Sequence, residues 1–114
     1  MLSWSGQQSD IEIDLVAVQR GSGDVGVPYA EELMRFADAA ARLDSDVAEV
    51  SEARDGLASA AGQAMMIDAA AVAANFHMMT RLADGTGARY PQARMEASAP
   101  TIEIMGTADM ISLR

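Results

Sequence analysis

The stretch from Ala64 to Gly87 constrains this chain more than any other, because almost every residue before its final glycines is apolar or small. Apolar residues on most of the circumference of a helix are typical of a helix buried at the centre of a fold. Asp68, Asn75 and His77 interrupt the run, which makes it too polar and too short to predict a membrane span. We therefore expect a buried central helix over about 64–83, ended by the glycines that follow.

Two segments before this stretch predict a helical hairpin. In the first, at about 28–43, apolar residues recur at alternating steps of four and three, at Tyr29, Leu33, Phe36, Ala40 and Leu43. In the second, ending before Gly62, the inner face is predicted to carry Val47, Val50, Arg54, Leu57 and Ala61. Ser45 or Asp46 is suited to cap the second helix, with Glu49 three residues after Asp46. The short connection places the two helices side by side and antiparallel.

The two ends of the chain have weaker patterns. Ser9 to Glu12 matches a capping box, and Ile11, Leu15 and Val18 then form one helical stripe, which the glycines at 21 and 23 are expected to end. Residues 11–15 also alternate between apolar and acidic side chains, as in a strand. After Tyr90, residues 101–105 are compatible with a short strand or a helical turn. Thr107 is suited to cap a last short helix that contains Met110, Ile111 and Leu113. We expect one all-α domain over residues 1–114.

Charge and cysteine content exclude several classes of function. The net charge is −9, and all eight basic residues are arginines that are scattered among carboxylates. A nucleic-acid binder needs a clustered basic surface, and an anionic membrane repels an acidic protein, so neither partner is expected. The absence of cysteine excludes disulfides, thiolate metal sites and thiol redox chemistry. We expect a cytoplasmic protein without a cofactor or a metal ion.

The apolar helix also carries a family resemblance. Its pattern is an alanine-rich helix, then Asn-Phe, then Met-x-Arg-x-Ala-Asp-x-x-Gly, at Asp68, Ala69, Ala70, Ala73, Asn75, Phe76, Met79, Arg81, Ala83, Asp84 and Gly87. This resembles the carboxymuconolactone decarboxylase and alkylhydroperoxidase D-like (AhpD-like) superfamily over about half of the chain. The resemblance implies an AhpD-like helical fold. Peroxidatic members use a Cys-x-x-Cys pair, which this chain lacks, so the resemblance carries over no catalytic residue.

The polar residues of the apolar helix are the only candidates for a site, and they are Asp68, Asn75, His77 and Arg81. Each also has a structural interpretation. Asp68 and Asn75 share one helix face, where a buried carboxylate would need an arginine partner such as Arg35 or Arg54. His77 fits a polar position at a helix interface. Arg81 fits a local ion pair with Asp84.

Two functional hypotheses follow from these observations. The main one is a structural or binding protein that acts as a homo-oligomer, most simply a dimer, through the apolar helix or residues 102–113. The alternative is a decarboxylase or isomerase of the carboxymuconolactone decarboxylase kind, with a small-molecule ligand bound between the helices. An enzyme should hold at least two of the four candidate side chains in one concave, polar pocket.

Overall fold

The computed structural model describes residues 12–21, 23–89 and 91–109. All regular secondary structure in these ranges is helical, which confirms the predicted all-α class. The described helices are α1 (Leu15–Arg20), α2 (Ala30–Ala41), α3 (Val47–Ala61), α4 (Gln63–Thr86) and α5 (Gln92–Met105). Helices α2, α3 and α4 pack on one another, while α1 packs mainly on α5.

Helix α1 begins later than the capping-box pattern predicts. Asp14 is its N-cap, and one carboxylate oxygen accepts hydrogen bonds from the backbone N–H groups of Val16 and Ala17, at 2.9 and 3.1 Å. Residues 12–14 are not helical, and Ser9 to Ile11 lie outside the described residues. Gly21 ends the helix at φ 69°, a left-handed conformation that favours glycine. This end agrees with the sequence prediction.

The predicted hairpin is formed by α2 and α3, with shorter helices than the sequence pattern indicates. Tyr29 is exposed and lies before the first residue of α2, in a left-handed conformation at φ 58°. Leu43 follows the end of α2 and is 89% exposed, so neither residue belongs to the inner face that the sequence predicted. Asp46 is the N-cap of α3, where its carboxylate accepts a hydrogen bond from the Glu49 N–H at 2.8 Å. Of the two predicted caps, Ser45 and Asp46, the structure shows Asp46.

The core lies between α2 and α3. It consists of Phe36 and Ala39 from α2 and Ala53 and Leu57 from α3, with partly buried apolar side chains around them. These neighbours are Leu33, Val50, Ala61, Met66, Ala69 and Ala70. The alanines let the helix backbones approach closely, which explains why so few large side chains are enclosed.

Three residues of the predicted inner faces are exposed instead. Ala40 is exposed on α2, while Val47 and Arg54 are exposed on α3. The buried residues of α2 are Phe36 and Ala39, so its buried stripe takes a step of three residues after Phe36 where the prediction took a step of four.

The sequence predicted that the helix at about 64–83, now α4, would be buried, and this prediction is wrong for the single chain. Helix α4 has no buried residue, and its contacts with the core come from Met66, Ala69 and Ala70 in its first half. The reason is length: 24 residues form a helix of roughly 36 Å, whereas α2 and α3 measure only about 18 and 22 Å. A shorter hairpin covers only one face of part of α4. The helix ends at Gly87, where φ is 68°.

A close backbone approach fixes the segment before α2. The Asp14 N–H donates a hydrogen bond to the Val25 carbonyl oxygen at 3.2 Å, so residues 12–14 lie beside residues 24–26. Gly26 has φ 82°, and a Cβ atom built on it would overlap the Glu12 carbonyl oxygen. Only glycine fits this position, because any side chain would both strain the backbone and push the two chain segments apart.

Helix α5 was not predicted over residues 92–100, because its apolar residues follow no helical period. Of the two alternatives for residues 101–105, the helical one is observed. Pro100 lies inside this helix, where it cannot donate a backbone hydrogen bond. The last short helix predicted around Met110, Ile111 and Leu113 lies outside the described residues.

Arg42 joins the end of α2 to the start of α3. Its guanidinium lies near Asp38 at 3.5 Å and Asp44 at 3.7 Å, and it also pairs with Glu49. The nearby carboxylates of Asp38 and Glu49 raise the pKa of Arg42 above its usual value. These ion pairs are exposed, so they orient the turn more than they stabilise the fold.

Candidate functional site

The four candidate residues all lie on α4, and all of them are exposed. Asp68 and His77 are nine residues apart, which is roughly 13 Å along the helix axis. Asn75 and Arg81 are likewise separated by more than one helical turn. Only His77 and Arg81, at i and i+4, are neighbours on the helix surface. The structure therefore does not bring the four side chains together into one catalytic group.

The predicted buried salt bridge of Asp68 is not formed. Asp68 is exposed, and the two arginines proposed as partners bind other carboxylates. Arg35 lies 3.5 Å from Glu52, and Arg54 lies 2.8 Å from Asp55. The Arg54 hydrogen bond lowers the pKa of Asp55. Because α4 is not enclosed by the hairpin, the Asp68 carboxylate stays in contact with water and requires no buried partner.

The polar residues further along α4 also differ from their structural interpretations. The Asn75 side-chain N–H donates to the Met79 sulfur at 3.6 Å, which is a local contact within the helix. In the described part of the chain, no ion pair joins Arg81 to Asp84. The Asp84 carbonyl instead accepts a backbone hydrogen bond from Gly87 at 3.4 Å. His77 is exposed beside the hairpin instead of being packed within a helix interface.

An apolar groove lies between α2, α4 and the segment that leads into α2, and we call it the α2–α4 groove. It has a volume of about 630 Å³. Among the side chains that line it are Ile13, Val25, Leu33, Met65, Val72 and Phe76.

Among the residues that the structure describes, Asp68 and His77 are the only polar ones that line the α2–α4 groove. Two of the four candidates therefore share one cavity. The cavity itself is apolar, and its two polar side chains lie at distant positions along α4. This differs from the polar pocket that an acid–base enzyme would need.

A different face of α4 carries a second apolar surface. We call it the α4 stripe, and it consists of Ile67, Ala71, Ala74, Met78 and Leu82. Steps of four and three place these residues along one side of the helix. Ile67 is 54% exposed, Met78 60% and Leu82 63%. No described element of the chain buries this surface.

The sequence did not indicate the N-terminal wall of the α2–α4 groove. Ile13, Val18, Val25 and Val27 are widely spaced along a loop and a short helix, so they follow no period. The available signal was the pair Gly23 and Gly26, which permits the chain to turn back. That signal predicted a loop but not what the loop would cover.

The described residues show neither a metal site nor a membrane-spanning helix. In residues 12–21, 23–89 and 91–109, no group of three or more histidine and carboxylate side chains is placed to hold a metal ion. None of the helices in the same ranges is long and apolar enough to cross a membrane. Comparison of the chain with family models, curated proteins and solved structures gives no match.

Proposed function

We propose that this protein is a structural or binding protein that acts as a homo-oligomer, most simply a dimer, whose subunits meet on the α4 stripe. The observation that carries the proposal is the exposure of Ile67, Met78 and Leu82, each of which is more than half exposed. Large apolar side chains aligned on one exposed helix face mark an interaction surface more often than an isolated exposed leucine does.

The chemistry of the stripe favours a second copy of this chain. The stripe contains no charged residue, and Ala71 and Ala74 at its centre permit close approach of another helix backbone. Elsewhere the chain is strongly acidic, so two copies would repel each other if they met through their outer faces on α2 and α3. An isologous contact between two α4 helices keeps those acidic faces in solvent.

The relation to the AhpD-like superfamily belongs to the same proposal. It is supported by the residues of α4 that carry the resemblance and by the all-helical architecture. A member without cysteine has no thiol nucleophile, so we propose a non-peroxidatic protein. A cytoplasmic location is proposed with it, because a chain without cysteine suits a reducing compartment.

The α2–α4 groove favours a second candidate, a small-molecule decarboxylase or isomerase of the carboxymuconolactone decarboxylase kind. Asp68 or His77 would then act alone as acid or base, because about 13 Å of helix separates them. Turnover of a lactone or β-keto acid substrate by the wild type, lost in either Asp68→Asn or His77→Gln, would favour this candidate over the main proposal.

The experiment for the main proposal measures mass in solution. Sedimentation velocity across the micromolar range should show the wild type at twice the monomer mass, whereas Leu82→Glu should be monomeric. A glutamate in the middle of this apolar contact would be desolvated without a partner of opposite charge. Leu43→Glu is the matched control, because Leu43 is 89% exposed and lies outside the stripe. A monomeric wild type, or a Leu82→Glu dimer, would refute the proposal.

A further inference from the structure

We infer that the α2–α4 groove is a binding site for a small apolar amine, which places its hydrocarbon body in the groove and its ammonium group beside Asp68. This inference goes beyond self-association. The groove residues Val72 and Phe76 lie roughly 120° and 160° around the helix axis from the centre of the α4 stripe, and Asp68 lies roughly 80° from it. A second copy on the stripe therefore leaves the groove open to a ligand.

The size and shape of the groove suit a small molecule. Its volume of about 630 Å³ lies within the roughly 300–1,000 Å³ that is common for ligand pockets. Its walls come from three separate parts of the chain: the segment leading into α2, α2 itself and α4 from Met65 to His77. Met65 and Phe76, both on α4, are 41% and 48% exposed, so a ligand would bury apolar surface that no described element covers.

The charge of the groove selects the class of ligand. Asp68 is the only carboxylate among the described residues of the lining, which include no arginine, and it has no ion pair or hydrogen bond with any described residue. The other ionisable side chain of the lining, His77, lies about 13 Å further along α4. An ammonium group gains a charge-assisted contact with this carboxylate, while a carboxylate ligand is repelled by it. The net charge of −9 acts in the same direction, because it raises the local concentration of cations. An apolar amine therefore fits better than a fatty acid of the same length.

The test compares three ligands with the same hydrocarbon body: octylamine, octan-1-ol and octanoate. Chemical-shift perturbation in ¹H–¹⁵N spectra of the full chain gives both the dissociation constant and the binding surface. We expect octylamine to bind most tightly and octanoate most weakly. The shifted resonances should belong to the groove, with Val25, Leu33 and Phe76 among them, and not to the α4 stripe.

Two variants and one control separate charge from hydrophobic contact. Asp68→Asn should weaken octylamine binding about two- to fivefold, which is the range for an exposed ion pair. The same substitution should leave the affinity for octan-1-ol unchanged. Phe76→Ala should weaken all three ligands about tenfold, since it removes a wall of the groove. Asp84→Asn removes the same charge from the same helix outside the groove, and it should leave octylamine binding unchanged.

Three results would overturn the inference. The first is octanoate binding as tightly as octylamine. The second is an equal effect of Asp68→Asn and Asp84→Asn, which would make the attraction one of overall charge. The third is groove resonances that change with protein concentration and not with ligand, because a second copy would then occupy the groove. The first two results do not depend on whether Leu82→Glu dissociates the dimer, so the amine site and the dimer fail separately. The third result would also count against the α4 stripe as the subunit contact.

Discussion

The substitution Leu57→Ala tests the described packing most directly. Leu57 is the largest completely enclosed side chain among the described residues, with 0% exposure. Replacing a buried leucine by alanine costs about 2–5 kcal/mol, depending on how far the surroundings collapse into the cavity. Two of its core neighbours, Ala39 and Ala53, have no side-chain atoms beyond Cβ that could move into the space. We therefore expect a loss of about 3–4 kcal/mol, above the lower end of that range.

The assay is urea unfolding followed by circular dichroism at low protein concentration, so that self-association does not contribute. A loss of about 3–4 kcal/mol corresponds to a fall in Tm of roughly 12–16 °C for a domain of this size. Leu43→Ala is the control: it is the same substitution at a side chain that is 89% exposed, and it should change stability by less than about 0.5 kcal/mol. Leu57→Met keeps the volume and should cost less than about 1.5 kcal/mol. Equal destabilisation by Leu57→Ala and Leu43→Ala would refute the described core.

Three further predictions concern the backbone. Gly26→Ala should destabilise the fold by at least about 1–2 kcal/mol, from its positive φ and its contact with a backbone carbonyl, whereas Gly85→Ala should stabilise α4 by about 0.5–1 kcal/mol. Thermal unfolding of the two variants gives opposite shifts if the described loop is correct. Asp46→Ala should cost about 1 kcal/mol in urea unfolding by removing the N-cap of α3, and Asp44→Ala, which removes no cap, should cost clearly less. Pro100→Ala should raise the Tm, because alanine restores a backbone donor inside α5, and an unchanged or lower Tm would count against a helix through this position.

Local signals in the sequence predicted the helical elements in the middle of the chain correctly. The 3.6-residue period, an aspartate at the start of α3 and the glycines at 21, 62 and 87 act over a few residues, and all of them are visible without a tertiary structure. The same approach missed α5 over residues 92–100, because its apolar residues have no period and Pro100 argues against a helix. Where the local preference and the observed structure disagree, contacts with other parts of the chain determine the outcome. Here α5 packs on α1.

The candidate site depended even more on tertiary structure. The sequence identified Asp68, Asn75, His77 and Arg81 as the unusual polar residues of an apolar helix, but not which neighbours they would have. Helical geometry alone separates Asp68 from His77 by about 13 Å. The packing of α2 and the segment before it against α4 then places both Asp68 and His77 at one groove, while leaving Asp68 in contact with water.

Composition and periodicity by themselves determined that this acidic chain without cysteine forms helices, where most of those helices begin and end, and that one of them is apolar on nearly every side. Only the tertiary structure decided which sides of that helix are covered. Helix α4 has 24 residues and is longer than its partners α2 and α3, which have 12 and 15. Its apolar surface is therefore divided into one packed face, one groove and one exposed stripe. Helix formation depends on neighbours in sequence, whereas burial depends on the size and position of whatever packs against the helix.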